Sequence, residues 1–160
     1  MVIDYYLAMD GIPGESTASG FERQIDVIGW SWNQEFQPKA PQESNELPGL
    51  AVGVFRIIKG LDKATPKLML ACASRQFFPR AILTCLRSGA TPFELLRVTM
   101  SDLQISSYRA GVTAESGDQP FEEIGITFAR IEFESTELRA DGTEAGVIRS
   151  GWDIRANQSC

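Results

Sequence analysis

The chain has 160 residues, 21 acidic against 15 basic side chains, no histidine, a net charge of −6 and 43% apolar content. That is enough for one sizeable core, so one domain spanning residues 1–160 is expected. The acidity speaks against nucleic-acid or anionic-membrane partners, which clustered lysine and arginine would serve. The missing histidine removes the usual base of serine and cysteine triads and the His-containing zinc sites.

Ile3 to Met9 alternates with period two and reads as the first strand, broken by DGIPGES. Because Asp4 and Asp10 interrupt the N-terminal region and no basic leader precedes them, neither a signal peptide nor a membrane span is expected. A second strand runs from Gln24 to Trp32, with Ile25 and Val27 on one face and Ile28, Trp30 and Trp32 on the other. Residues 34–49 hold three prolines in polar filler and read as a long exposed loop. A strand is predicted from Ala51 to Ile58.

Thr65 to Ser74, extending to about residue 76, is the one predicted helix. Thr65 is placed to cap it, Pro66 suits the first turn, and Leu68, Met69, Cys72 and Ala73 are assigned to one face. Strands are predicted at Ala81–Leu86 and, long and bent, at Phe93–Tyr108. Pro79 and Gly89–Pro92 punctuate them. The last major strand is Glu123–Ser135, where Ile124, Ile126 and Phe128 share one face and Ile131 and Phe133 the other. This phase flip near Ala129 and Arg130 admits a β-bulge, or a strand whose ends bury different sides because one meets another subunit. The expected fold is mainly β: an antiparallel barrel of two sheets with one flanking helix.

Catalytic chemistry is hard to find. Gly11 and Gly14 lie in a turn and lack the spacing of a phosphate cradle. Asp4, Asp10, Glu15 and Asp26, and the pair Glu122 and Glu123, read as solvated carboxylates. Cys72 and Cys85 read as small buried hydrophobes. No catalytic residue, metal or cofactor is expected. Trp30 and Trp32 point one way, to a core or a subunit interface, and Ser31 points the other, to a solvated surface.

The segments DYYLAMDGIPGES, IDVIGWSWNQ, LDKATPKLMLACAS, ILTCLRSG, LQISSYRAG, ITFARIEFES and GWDIRAN, in this order, resemble the haemolysin-coregulated protein family, Hcp, the tube proteins of bacterial type VI secretion systems. The resemblance implies a non-enzymatic subunit of a homohexameric ring, from a Gram-negative source. Stacked rings form a tube that a contractile sheath expels behind a spike protein, with small effector proteins in the lumen. Free rings acting as effector carriers are the alternative. It further implies a cytoplasmic protein exported without a signal peptide, a lumen contact at Ser31, and ring stacking through Gln37, Lys39, Gln42, Glu43 and Asn45. Subunit contacts are assigned to Trp30, Trp32, Ile131 and Phe133. The proline- and acid-rich loop and the segment RQFFPRA depart from many relatives, and Cys160 is expected to be exposed and able to cross-link chains on oxidation.

Overall fold

A computed structural model of the chain describes residues 2–37 and 49–160. In chain order the elements are β1 (Ile3–Met9), β2 (Ile25–Val27), β3 (Gly29–Ser31), β4 (Gln34–Gln37), β5 (Gly49–Val52), β6 (Phe55–Gly60), α1 (Thr65–Ala73), β7 (Phe77–Arg87), β8 (Phe93–Gly111), β9 (Phe121–Leu138), β10 (Glu144–Asp153) and β11 (Gln158–Ser159). The protein is mainly β, all its strand pairs are antiparallel, and α1 flanks the sheet. One large sheet runs β11-β10-β9-β8-β7-β1-β2, with β6 joining β9 to β3, while β4 and β5 pair separately. The outline is barrel-like, yet the ladder is not hydrogen-bonded shut. The circuit from β1 through β7, β8, β9, β6 and β3 returns to β1 by the covalent step at Ile28 into β2.

The apolar phase flips have one geometric cause. Across β7, β8 and β9 the register places Phe78, Leu103 and Phe128 opposite one another, and likewise Ala81, Met100 and Ile131. Both rows face the core although they are three residues apart on each strand, an odd step that a regular pleat cannot take. Between them Pro79, Asp102 and Ala129 drop out of the ladder together, with Asp102 in the left-handed region at φ 52°. The result is a crease across three strands that flips the pleat without shifting β9's register on β8. Pro79 is tolerated inside β7 because no ladder N–H is required there. At the crease β9 also exchanges one neighbour for another: residues 121–126 pair with β6, and residues 130–138 with β10. Between β8 and β9 the register shifts instead at Ser106 of β8, between Ile105 and Ser107.

The strand predicted over Gln24–Trp32 breaks at Ile28 for a related reason. There the chain leaves β1 for β6, and Ile28, expected to share a buried face with the tryptophans, is 66% exposed. The strand predicted over Ala51–Ile58 divides at Gly53. A Cβ on Gly53 would overlap Asn33, whose carbonyl accepts the Gly53 N–H at 2.8 Å, so only glycine permits this close approach. The loop predicted over residues 34–49 is strand at both ends, where Gln34–Gln37 pairs with Gly49–Val52. Strands β10 and β11 were not predicted; residues 144–150 are exposed and so carry no alternating burial pattern.

Helix α1 is shorter than predicted. It ends at Ala73 because Arg75 turns left-handed at φ 55° and Gln76 N–H closes back on Ala71 O. Leu68 and Ala71 are the residues it buries, whereas Met69 and Ala73 are exposed and Cys72 is half-buried. Thr65 does not cap it, since Ala64 occupies the N-cap position with no side-chain bond. The core around β1, β6, β7, β8 and β9 comprises Leu7, Phe55, Ile57, Leu83, Met100, Leu103, Ile124 and Ile126.

Candidate functional site

Strand β3 and the residue after it carry the three residues Trp30, Ser31 and Trp32 into different surroundings. Trp30 stacks on Phe55 with ring centroids 5.5 Å apart. Trp32, just beyond β3, donates its indole N–H to Gly53 O at 3.0 Å and lies against Phe128 and Phe133, at 6.2 and 5.6 Å. Ser31, between them, is exposed.

Register explains what collects around Trp32. Trp152 lies opposite Ile131, and Ser150 opposite Phe133, so these four residues share one face of β9 and β10. With Trp32 and the β4–β5 pair, including Phe36 and Leu50, they line a groove of about 670 Å³. Phe36 is 64% exposed at its rim. Among the sequence-predicted site residues, Trp32, Ile131 and Phe133 therefore come together at this groove, whereas Trp30 and Ser31 do not line it. Ile131 and Trp30 contribute chiefly to the chain's own core. Gln37 ends β4 opposite Gly49. Lys39, Gln42, Glu43 and Asn45 lie outside the described residues. Cys160 is exposed and Cys85 buried, where desolvation pushes its thiol up to about 11.

A polar cluster missed by sequence reasoning lies at the other end of β6. Lys59 and Glu122, directly opposite each other on β6 and β9, form a fully buried salt bridge. Lys59 Nζ also donates to Asp62 Oδ1 and to Gly60 O, each at 2.9 Å. Thr65 Oγ1 donates to Glu122 Oε1 at 2.9 Å and accepts from Asp62 N–H at 3.0 Å, while Ala64 N–H donates to Asp62 Oδ1. Tyr108 O–H completes the cluster on Glu122 Oε2 at 2.6 Å, and burial, then that hydrogen bond, pushes the phenol up to about 12. Every polar hydrogen of the buried ammonium is used, as a buried charge requires. The cluster fastens the start of α1 to β6, β8 and β9. Its signal was present in the alternation Phe55, Ile57, Lys59 and Glu122, Ile124, Ile126, which carries both charges onto the core face. Glu123, one residue on, faces the other way and pairs with Arg56 at 3.1 Å, where both side chains are partly exposed.

A creased antiparallel sheet with a pinned helix, an apolar groove at its edge and buried charges that hold the fold defines a mainly β protein. The family model described as type VI secretion system effector, Hcp, matches residues 6–134, and the chain belongs to that family. It is 29% identical to protein hcp1 of Pseudomonas aeruginosa, over 98% of both chains. A solved structure described as a type six secretion system protein superposes with a TM-score of 0.88 at 25% identity, covering 99% of this chain and all of that one. Hcp1 of Salmonella typhimurium gives a TM-score of 0.81 at 27% identity, over the whole of both chains. The chain is accordingly a type VI secretion protein of the Hcp family. Among the described residues no helix is long and apolar enough to cross a membrane.

Proposed function

We propose that this protein is the building block of the inner tube of a type VI secretion system. Six copies form a ring, rings stack, and the tube is expelled by the sheath behind the spike with effectors in its lumen. The observation that carries this reading is the division at the end of β3, with Trp30 and the following Trp32 packed inward and Ser31 presented to solvent on a continuous sheet face. That face becomes the lumen wall. The apolar groove at Trp32 and Phe133 becomes the ring contact, because a neighbouring subunit would cover aromatic surface that the isolated chain leaves open. Ile131 lines the same groove, and Trp30 is assigned to that contact with it. Gln37, Lys39, Gln42, Glu43 and Asn45 serve stacking, which must be weaker than ring closure if tubes are to assemble and come apart. Before assembly the protein is held in the cytoplasm.

Light scattering combined with electron micrographs of the same fraction tests the reading. Hexameric annuli are expected, and a stable monomer would overturn it. Deleting residues 37–45 is expected to leave rings intact and abolish stacking; loss of the rings themselves would refute that division of labour.

A further inference from the structure

The sheet face that carries Ser31 extends over four strands. Register sets Ser31 opposite Arg56, with Ser107 two strands further along the same row, and sets Ile58, Glu123 and Arg109 in the adjacent row. Residues directly opposed in an antiparallel ladder project to the same side, and the intervening row, Ile57, Ile124 and Tyr108, is turned inward. Of the six outward residues all are exposed except Glu123, which is half-buried. The face therefore holds two arginines against one carboxylate, on a chain of net charge −6.

The two arginines are differently placed. Arg56 is engaged by Glu123. Arg109 lies over the Phe121 ring, 5.3 Å from its centroid, and among the described residues makes no salt bridge. Stacking occupies the plane of a guanidinium and leaves its N–H edge free for a carboxylate. The surface around β1 and β2 has the opposite character: burial and the nearby Asp62, Asp4 and Glu15 hold the Asp26 carboxyl above its usual range. A cluster of acidic groups thus surrounds Asp26 on β2.

We propose that this face receives an acidic protein segment, with Arg109 as its principal carboxylate anchor, Arg56 as a second, and Ser31 and Ser107 as hydrogen-bonding partners. The proposal rests on the reading of the Ser31 face as the cargo surface and names the chemistry of the cargo. A protein segment fits better than a nucleic acid. Nucleic-acid affinity rests on clustered cations that neutralise phosphates, and on this face each copy sets Glu123 and the apolar Ile58 among its two arginines, on a chain of net charge −6.

The test uses the full-length protein as purified and a fluorescent oligoglutamate peptide, with oligoglutamine of equal length as control. Wild type is expected to bind oligoglutamate about tenfold more tightly than oligoglutamine, Arg109→Gln to remove about tenfold of that affinity, and Arg56→Gln less. Glu123→Gln, which releases Arg56, is expected to strengthen binding, a gain that misfolding cannot imitate. Equal binding of both peptides, blocked by Ser31→Tyr and unmoved by Arg109→Gln, would overturn the acidic preference while leaving the cargo face in place. Oligoglutamate binding that is sensitive to Arg109→Gln but unmoved by Ser31→Tyr would support the acidic site and sink the cargo-face reading. Absence of oligoglutamate binding, or stronger binding of single-stranded DNA, would overturn the proposal.

Discussion

Glu122 and Glu123 are neighbours on β9, and each forms an ion pair with a cation on β6, yet the two pairs have almost nothing else in common. The Lys59–Glu122 pair is fully buried and supplemented by Asp62, Thr65, Tyr108 and the Gly60 carbonyl. The Arg56–Glu123 pair stands partly in water on the opposite face. Alternation along a strand decides which environment each carboxylate meets. Desolvation then decides the energetics: inside, the alternative to pairing is an uncompensated charge, and outside it is hydration. The same two strands thus use charge once to hold α1 in place and once to present a surface.

The largest expected effect lies on the inner side. Glu122→Ala or Lys59→Ala strands a buried charge and is expected to destabilise the protein by about 3–5 kcal/mol in urea unfolding. The double variant Lys59→Met, Glu122→Leu is expected to lose less than either single variant; a loss equal to the sum of the two would show that the residues act independently. Next, Thr65→Val removes one donor and one acceptor from the cluster and is expected to cost about 1–3 kcal/mol, with faster hydrogen exchange in α1 as its local signature. Exchange rising equally throughout the sheet would show that Thr65 does not act through the helix.

Tyr108→Phe is expected to cost about 1 kcal/mol at neutral pH. It also sharpens the comparison through pH. The folded-state pKa of Tyr108 is raised from 10.0 to about 12, so its contribution is fully present below pH 10 and is lost as pH rises through the folded value. Wild type should therefore lose stability between about pH 10 and 12, and the variant should lack that component. A phenol titrating at its ordinary value in the folded protein would break the assignment. The smallest effect is on the outer side, where a double-mutant cycle of Arg56→Ala and Glu123→Ala should give less than about 1 kcal/mol, fading with added salt. A salt-insensitive coupling of several kcal/mol would erase the distinction between the two faces.

Much of this was legible in the chain. The limits of β1 follow from the alternation Ile3, Tyr5, Leu7 and Met9, and the start of α1 from Pro66 in its first turn, because both signals are local. The family resemblance was likewise carried by segments readable in order, and the inward and outward division of Trp30, Ser31 and Trp32 followed from period two. Other features were illegible for identifiable reasons. Strand β10 escaped because residues 144–150 bury no face, and pairing with β9 through backbone groups leaves no side-chain pattern. The phase flip at Ala129 was visible, but its cause was not, since Pro79 and Asp102 become relevant only when three strands lie side by side. Treating Glu122 and Glu123 alike ignored the face each occupies.

By itself the sequence determined the mainly β character, the helix α1, the face on which Ser31 stands and the family to which the chain belongs, since all of these reside in near-neighbour spacing or in the order of segments. Only the tertiary structure decided that Lys59 meets Glu122 across 63 residues of chain, that the crease at Pro79, Asp102 and Ala129 turns the sheet, and that Arg109 and Arg56 share a surface with Ser31. Each of these depends on register between distant strands, and register is a property of the assembled ladder, set by the whole buried face at once.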